Sequence, residues 1–403
     1  MEKNNKTLNV PNLRFPEFSG EWEKTTIGEC CSELEYGMNA PSKYFDGVNK
    51  YIRITDIDEQ TSEYKQDSIV SPDAPLEDKY IVKDRDILFA RTGASTGKTY
   101  IYNPQDGKMY YAGFLIRANV KMADNPKFVF YQTQTHRYKK WVSIMSMRSG
   151  QPGINSQEYA SYKFWKPSKD EQDKISALIS LLDMRIQTQK KIIEDLKKLK
   201  DAISKSLFLR TDLLEKRIHV SEIGNLKNGY AFQSSSYDDN GEYEIVTISN
   251  VTGDRNICSN GCNRILTKPS DLQSHQELKS GDILISLTGN VGRVSLCSDG
   301  KFLLNQRVGL LKLNAGVNAE YIYQVISTKR FEQAMISCGQ GAAQMNIGKG
   351  DIENYNVPYS DNSSILLHIA SILKTYDAGI LVESRKLQLL NIQKRYLLTQ
   401  MFI

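Results

Sequence analysis

The stretch DRDILFARTGASTGK, residues 84–98, has a partial copy in SGDILISLTGNVGR, residues 280–293. In both, an Asp-Ile-Leu run leads into a Thr-Gly pair, and a second glycine follows within four residues. The apolar run predicts a strand, and the glycines predict a turn that ends in a cation, Lys98 in one copy and Arg293 in the other. The chain is therefore expected to build the same strand and turn twice.

The first copy also looks like a phosphate-binding loop, because Lys98 and a threonine follow Gly97. That loop needs four residues between its glycines and a helix after it, so that backbone N–H groups surround the phosphates. Only three residues separate Gly93 from Gly97, and the alternating aromatic residues that follow predict a strand. The second copy lacks the Lys-Ser/Thr pair altogether, so the sequence does not favour a nucleotide site.

Further pieces repeat in the same order along the chain. EYGMNA at 35–40 matches KNGYAF at 227–232, RITDI at 53–57 matches TISNV at 247–251, and GQPGIN at 150–155 matches GAAQMN at 341–346. Short runs rich in Ile, Val, Tyr and Phe separate these pieces, which is typical of β-rich globular units. A period near 194 residues is too long for a solenoid repeat and predicts two copies of one domain.

A long helical segment follows each globular copy, with a seam of apolar positions spaced alternately by four and three. The first seam is Ile175, Ile179, Leu182, Ile186, Gln189, Ile193, Leu196, Lys200, Ile203 and Leu207; the second is Ile369, Leu373, Tyr376, Ile380, Glu383, Leu387, Leu390, Lys394, Leu397 and Met401. Every position recurs at an offset of 194, and a 3.5-residue period predicts a coiled coil. The alternative is that each helix packs only on its own globular copy.

The polar seam positions indicate an antiparallel pairing. A parallel pair would oppose Lys200 to Lys394, whereas an antiparallel pair sets Lys200 against Glu383 and Gln189 against Lys394. The same register opposes Ile193 to Leu390 and Leu196 to Leu387. Two globular copies separated by a helical strut, with pseudo-two-fold symmetry, are the expected arrangement.

Composition sets broad limits on class and compartment. Lys and Arg number 52 against 47 Asp and Glu, a net charge of +5 that permits a polyanionic partner. The N-terminus does not resemble a signal peptide and no run approaches a membrane span, so the cytoplasm is the expected location. Cys258 and Cys262 have the spacing to share a metal, but no second Cys/His pair accompanies them.

An enzyme is the rival class of function. PDAPLEDK at 72–79 superficially resembles a metal-dependent nuclease motif, and NVPYS at 356–360 resembles part of an adenine methyltransferase motif. Three residues between Asp73 and Glu77 cannot build the separate strands of a nuclease site, and no adenosylmethionine-binding glycine fingerprint accompanies the second fragment. The four histidines occupy no repeated position. A stand-alone nuclease or methyltransferase is thus not favoured.

The order of these parts, with VPNLRFPEFSGEWEKTTIGE at 10–29, the repeated GDIL…TG turns and the two matched helices, resembles the specificity subunit of type I restriction-modification systems. The resemblance covers essentially the whole chain. It implies an α+β fold in which two duplicated β-rich α/β target recognition domains are joined by two long helices that form an antiparallel coiled coil. The predicted segments are 1–167 and 210–360 for the domains, and 168–209 and 361–403 for the helices.

That resemblance also implies a function, partners and cofactors. Each domain would read one half of a bipartite double-stranded DNA site, and the helices would set the spacer and dock methyltransferase subunits. The chain would be non-catalytic and would assemble with two methyltransferase subunits and motor-nuclease subunits. Adenosylmethionine, ATP and Mg²⁺ would be bound by those partners and not by this chain.

Candidate DNA contacts lie on the glycine turns and on the other repeated loops. Lys98 and Arg293 are the predicted phosphate contacts, because a cation at a turn positions a protein on DNA without specifying sequence. The remaining candidates are Tyr36, Asn39, Arg91, Ser95, Arg148, Gln151, Asn228, Tyr230, Asn290 and Gln344. Polar and aromatic side chains of this kind can approach base edges in the major groove.

Overall fold

The computed structural model describes residues 9–147, 152–339 and 345–403. The chain forms two compact units. Unit 1 consists of Met1–Gln189 and Lys386–Ile403, and unit 2 of Lys190–Arg385. Two long helices contribute to both units, because each crosses from one to the other along its length.

The described residues of unit 1 form short strands and four short helices. Its strands are β1 (Glu23–Thr26), β2 (Glu35–Tyr36), β3 (Ser42–Tyr44), β4 (Lys50–Ile52), β5 (Val70–Pro72), β6 (Asp86–Ala90), β7 (Thr99–Ile101), β8 (Met109–Tyr111), β9 (Leu115–Asn119) and β10 (Lys163–Lys166). Its helices are α1 (Ile27–Cys30), α2 (Pro126–Gln132), α3 (His136–Ser146) and α4 (Ser156–Ala160). The apolar run of the opening stretch is β6, whose five residues are all buried.

Unit 2 repeats this plan. After the first long helix α5 (Lys169–Phe208) come β11 (Lys216–His219), β12 (Gly224–Asn228), β13 (Tyr243–Val246), β14 (Asn263–Ile265), β15 (Ile283–Ser286), β16 (Val294–Leu296), β17 (Phe302–Leu304), β18 (Val308–Leu313) and β19 (Asn356–Tyr359). The helices are α6 (Val220–Ile223), α7 (Ala319–Ile326), α8 (Lys329–Cys338), α9 (Lys349–Glu353) and the second long helix α10 (Ser363–Gln400).

The central sheets of the two units have the same strand order. Unit 1 orders its sheet β2-β9-β6-β7, and unit 2 orders its sheet β12-β18-β15-β16, with antiparallel neighbours throughout. Each unit also has one parallel pair, β4 with β8 and β13 with β17. This correspondence confirms the duplicated α+β organisation at the level of topology.

The long helices complete the core of each unit. In unit 1, Ile175, Ile179 and Ile186 of α5 share one apolar cluster with Leu397 and Met401 of α10. In unit 2, the cluster joins Phe208 of α5 to residues of α10 that include Leu366, Ile369 and Leu373. Within each unit, therefore, one end of α5 packs against the opposite end of α10, as an antiparallel pairing requires.

Polar contacts between the helices differ from the predicted ones. Lys200 forms its ion pair with Asp377, at 2.5 Å, and Lys394 forms its ion pair with Asp183, at 2.6 Å. The predicted partners, Glu383 and Gln189, each lie six residues later on the respective helix. The prediction paired only residues at seam positions. Asp183 and Asp377 lie outside the seam, and each also contacts the globular part of its unit.

Helix α10 corrects a second expectation. It contains an 18-residue window apolar enough, by length and composition, to cross a membrane, although the sequence had suggested that no such run exists. Its apolar side chains supply core residues to both units, among them Leu373 in unit 2 and Leu397 in unit 1. A helix that serves two cores needs apolar residues along most of its length.

Candidate nucleic-acid interface

The second glycine of each repeated turn is required by a close approach to a helix. Gly97 has φ +89°, and a Cβ there would lie 2.4 Å from Cγ1 of Val142 on α3. Gly292 has φ +78°, and a Cβ there would lie 2.7 Å from Cβ of Met335 on α8. Because a side chain is excluded both by conformation and by contact, these glycines fix where the turn lies on its unit.

Backbone donors of the first turn are already used within the protein. The Gly93 N–H donates to the Pro152 carbonyl at 3.0 Å, and the Gly97 N–H donates to the Ala90 carbonyl at 3.0 Å. The Lys98 N–H donates to the Ser95 carbonyl at 3.0 Å. These three N–H groups are therefore not free for a phosphate, whereas a phosphate-binding loop leaves its N–H groups free.

Four chain segments lie side by side at the end of the central sheet of unit 1. The Gly113 N–H donates to the Met38 carbonyl at 2.7 Å, the Arg91 N–H donates to the Phe114 carbonyl at 3.0 Å, and the Ile154 N–H donates to the Arg91 carbonyl at 2.9 Å. We name these segments, residues 36–39, 91–93, 112–114 and 152–154, the loop edge of unit 1. Predicted residues Tyr36, Asn39 and Arg91 all lie on it.

Unit 2 has the same edge, built from residues 228–230, 287–289, 305–307 and 345–347. The Gln306 N–H donates to the Tyr230 carbonyl at 2.9 Å, the Leu287 N–H donates to the Arg307 carbonyl at 3.0 Å, and the Ile347 N–H donates to the Leu287 carbonyl at 2.9 Å. Asn228 and Tyr230 lie on this loop edge. The backbone scaffold is thus repeated bond for bond, while the side chains on it differ.

Tyr36 and Arg91 form a pair on the loop edge of unit 1. The Arg91 guanidinium carbon lies 4.9 Å from the centre of the Tyr36 ring, and the Ser156 N–H donates to the Tyr36 hydroxyl oxygen at 3.2 Å. Partial burial raises the pKa of Tyr36, but the Ser156 hydrogen bonds and the Arg91 charge outweigh it and lower the pKa. The Arg91 Nε is buried without a partner within the described residues. The pair therefore presents a flat, cationic surface.

Predicted phosphate contacts each have a carboxylate neighbour. Lys98 Nζ lies 3.4 Å from Glu59, and Arg293 Nε lies 3.6 Å from Glu332. These are loose pairs whose carboxylates reach the solvent, and ion pairs of this kind contribute little stability. Each cation can consequently exchange its carboxylate for another anion at small cost.

Unit 2 has Leu287 where unit 1 has Arg91, so it does not repeat the pair of Tyr36 and Arg91. The Tyr230 hydroxyl donates to Asp271 at 2.9 Å, which together with desolvation raises the pKa of Tyr230, and its ring lies 4.9 Å from that of Phe232. Asn228 is exposed, and its carbonyl accepts a hydrogen bond from His275 at 3.0 Å. The two loop edges thus carry their charged and aromatic side chains at different places.

The remaining predicted residues fall into two groups. Ser95 and Asn290 lie in the turns beside the edges, where the Ser95 carbonyl and the Asn290 carbonyl accept local hydrogen bonds. Arg148, Gln151 and Gln344 lie outside the described residues.

Sequence reasoning missed Phe114 and Arg307, which occupy equivalent places on the two edges. Aligning the strand pairs β8–β9 and β17–β18 would have found them, but they share no residue identity that draws attention to the match.

A metal site is not supported within the described residues, where no group of three or more His, Cys, Asp or Glu is placed to hold an ion. Cys258 and Cys262 are both partly buried free cysteines. Burial raises the pKa of Cys262 to about 11, which favours the neutral thiol over the thiolate that zinc requires.

Comparison with known proteins gives a consistent result across sequence and structure. The family model described as the type I restriction modification DNA specificity domain matches twice, over residues 19–198 and 216–391. The MjaVIII type I restriction enzyme specificity subunit of Methanocaldococcus jannaschii is 24% identical over 384 residues, 86% of this chain and 83% of that protein. The putative MjaX specificity subunit of the same organism is 24% identical over 380 residues, 88% and 86% of the two chains.

Solved structures share the fold. The S subunit of a type I restriction-modification system from M. genitalium matches with a TM-score of 0.61 at 16% identity, covering 98% of this chain and 99% of that one. A chain solved in work on complex assembly and conformational transition of the type I R-M system matches with a TM-score of 0.52 at 15% identity, covering 94% and 96%.

Proposed function

The chain belongs to the type I restriction modification DNA specificity family, and we propose that its two loop edges read the two halves of a bipartite double-stranded DNA site. The family makes it a DNA-recognition subunit that has no catalytic role of its own. The observation that carries the proposal is a backbone scaffold repeated bond for bond with different side chains upon it. Such a pair suits two half-sites of different sequence, because the geometry of approach is kept while base contacts change.

Charge near the edges fits this role. The edge of unit 1 carries the Arg91 guanidinium on Tyr36, and Lys98 and Arg293 lie at the ends of their turns beside single carboxylates. Cations that exchange a nearby carboxylate for a phosphate position a protein on DNA and make its binding dependent on salt. Since the Gly93, Gly97 and Lys98 N–H groups already bond within the protein, side chains are the groups proposed to meet phosphate.

The proposal extends to assembly. Two methyltransferase subunits and motor-nuclease subunits are the proposed partners, and they would bind adenosylmethionine, ATP and Mg²⁺. The paired parts of α5 and α10 are the proposed docking surface for the methyltransferases and the proposed determinant of spacer length. The cytoplasm, where the DNA lies, is the proposed location.

An exchange of one domain tests the proposal. Residues 210–360 are replaced by the corresponding segment of a relative, and the chain is expressed with its methyltransferase subunits before the methylated motifs are sequenced. We expect one half of the motif to change and the other half and the spacer to stay the same, because unit 1 is untouched. The reciprocal exchange of residues 1–167 serves as the control and should change the other half. A change in both halves after a single exchange would contradict the model.

A further inference from the structure

At one position on the loop edge, the two units make the same backbone hydrogen bond but carry different side chains. Just beyond the paired ends of β6 and β9, the Arg91 N–H donates to the Phe114 carbonyl; just beyond β15 and β18, the Leu287 N–H donates to the Arg307 carbonyl, both at 3.0 Å. Phe114 and Arg307 therefore occupy the same place in the two units. One unit carries a phenyl ring there and the other a guanidinium.

Phe114 and Arg307 are the outward-facing members of these two pairs. Their backbone partners turn elsewhere: Arg91 lies over the Tyr36 ring, and Leu287 is buried with 7% of its surface exposed. Phe114, by contrast, keeps 56% of its surface exposed, and Arg307 is also exposed. Each unit thus offers one solvent-facing side chain at this place.

Neither side chain is held by its own unit. Arg307 makes no side-chain hydrogen bond or ion pair within the described residues, where only its backbone groups are bonded, the N–H to Asn305 and the carbonyl to the Leu287 N–H. Arg255 and Arg293, in the same unit, both pair with carboxylates. The Phe114 ring belongs to no aromatic pair in the part of the chain described. Five N–H donors and an apolar ring are consequently available to a ligand.

We propose that Phe114 and Arg307 are specificity-determining residues that each read one base pair, in opposite half-sites. Arg307 donates two hydrogen bonds to N7 and O6 of a guanine, and Phe114 packs against the 5-methyl group of a thymine, the major-groove features that these side chains match best. The inference rests on the proposed function, in which the loop edges face DNA. It adds the chemical identity of one base on each side.

A base contact explains the pair better than a phosphate contact. A guanidinium serves either role, but a phenyl ring cannot bind phosphate. Because Phe114 and Arg307 occupy equivalent positions in the two units, we assign them a role that both side chains can perform, which is contact with a base. Cations suited to phosphate already lie nearby in both units, at Lys98 and Arg293.

The test uses the full chain assembled with its methyltransferase subunits. Arg307→Ala, Arg307→Lys and Phe114→Ala are compared with the unaltered chain by sequencing the methylated motifs and by competition binding to DNA duplexes that differ from the native motif at single base pairs. Matched controls are exposed side chains away from the edge: Lys312→Ala on β18 for the arginine and Met122→Ala, which is 78% exposed and follows β9, for the phenylalanine.

We expect Arg307→Ala to reduce the preference for guanine at one base pair of one half-site by roughly 5- to 150-fold, and to leave every other position unchanged. Arg307→Lys should lose most of that preference as well, because an ammonium does not reproduce the planar two-bond contact. Phe114→Ala should relax a thymine preference in the opposite half-site. The two control variants should keep the native motif.

Two results would overturn the inference while leaving the proposed function intact. Weaker binding to all duplexes alike, with Arg307→Lys rescuing Arg307→Ala, would identify a phosphate contact. An unchanged motif in both alanine variants, together with a successful domain exchange, would place base reading on other loops. Failure of the domain exchange itself would instead refute the proposed function.

Discussion

Gly93 and Gly97 lie in one turn, yet only Gly97 has a neighbour that forbids a side chain. Both have positive φ, +64° and +89°, but a Cβ at Gly93 would meet nothing within 4 Å, whereas one at Gly97 would lie 2.4 Å from Val142. We expect Gly93→Ala to destabilise unit 1 by about 1–2 kcal/mol, the cost of the left-handed conformation alone. Gly97→Ala should lower the free energy of unfolding by about 1–3 kcal/mol more than Gly93→Ala does, because the added methyl group overpacks the contact with α3.

Denaturant unfolding of the two variants measures this difference, and a third variant assigns its cause. Val142→Ala in the Gly97→Ala background removes the clashing methyl groups and should recover part of the loss. Equal destabilisation by the two glycine variants would show that the approach of α3 to the turn is not tight.

Lys98 is the residue whose role in DNA binding is simplest to isolate. Its ammonium lies 3.4 Å from a single exposed carboxylate, so a phosphate can replace Glu59 without unpairing a buried charge. In the assembled complex, Lys98→Ala should weaken binding to all duplexes alike and reduce the slope of log affinity against log salt by about one. Lys301→Ala, which removes a lysine paired with Glu242 at the far end of β17, is the control and should leave the slope unchanged.

Among individual residues, repeated letters located the turns but not all of the edge. Gly97 and Gly292 were found because glycine is the residue that both copies need at that point. Phe114 and Arg307 were missed, since a position that must differ between two half-sites leaves no identity to align. Sequence repetition therefore locates the backbone turns that are shared by the two units better than the side chains that are proposed to contact DNA.

On the scale of whole elements, one aspartate in each unit ties the helix pair to the globular part. In unit 2, Asp377 of α10 accepts from Lys200 of α5 at 2.5 Å, from Gln324 of α7 at 2.7 Å and from Arg255 at 3.0 Å. In unit 1, Asp183 of α5 has the corresponding arrangement. It accepts from Lys394 of α10 at 2.6 Å and from Tyr131 of α2 at 2.8 Å, and burial raises the pKa of that phenol and keeps it protonated.

This arrangement explains what the sequence could and could not predict about the helices. Their seams followed from a long apolar period, which packing within each unit preserves, and the antiparallel direction inferred from the polar seam positions agrees with that packing. Their polar partners did not, because the lysines pair with Asp377 and Asp183, which also accept hydrogen bonds from Tyr131, Gln324 and Arg255 in segments distant in the chain. The rule that pairs seam positions in an isolated coiled coil does not consider hydrogen-bond donors from outside the helices.

A double-mutant cycle on Lys200 and Asp377 tests this account. Asp377 is buried, with 7% of its surface exposed, so we expect a coupling free energy of at least about 0.5 kcal/mol between Lys200→Ala and Asp377→Ala. The pair Lys198 and Glu194 on the same helix is the control. Both of its side chains are more than half exposed, and its coupling should be smaller than that of Lys200 and Asp377. Additive effects for Lys200 and Asp377 would mean that their contact does not contribute to stability.

The same network predicts how unit 2 responds to acid. Glu320 is half-buried; desolvation raises its pKa, but hydrogen bonds from Arg255 and Gln324 outweigh this and place the pKa below its ordinary value of 4.5. A carboxyl whose pKa falls on folding stabilises the folded state above its unfolded pKa and loses that contribution as the pH drops through its folded pKa. The free energy of unfolding should therefore decline below about pH 4.5 less steeply in Glu320→Gln than in the unaltered chain. Parallel profiles would contradict the role given to Glu320.

At the scale of the whole molecule, the duplication was the most predictable feature. An offset of 194 residues holds at every seam position, and the two sheets repeat the same strand order. Helices α5 and α10 each contribute core residues to both units and connect them. We therefore propose that the length of these helices sets the DNA spacer. That assignment is a proposal with a direct test.

The test lengthens both helices together. Seven residues that continue the seam are inserted after Leu196 in α5 and before Leu387 in α10, between the two ion pairs on each helix, so that Lys200 keeps Asp377 and Lys394 keeps Asp183. Each helix grows by about 10 Å at 1.5 Å per residue. Motif sequencing of the assembled complex should find the half-sites unchanged and the preferred spacer longer by about three base pairs, at roughly 3.4 Å per pair. Insertion into α5 alone is the control, and it should abolish methylation because the helices no longer match in length. A spacer that stays the same in the double insertion, with helical content increased, would show that the partner subunits and not these helices fix the distance between half-sites.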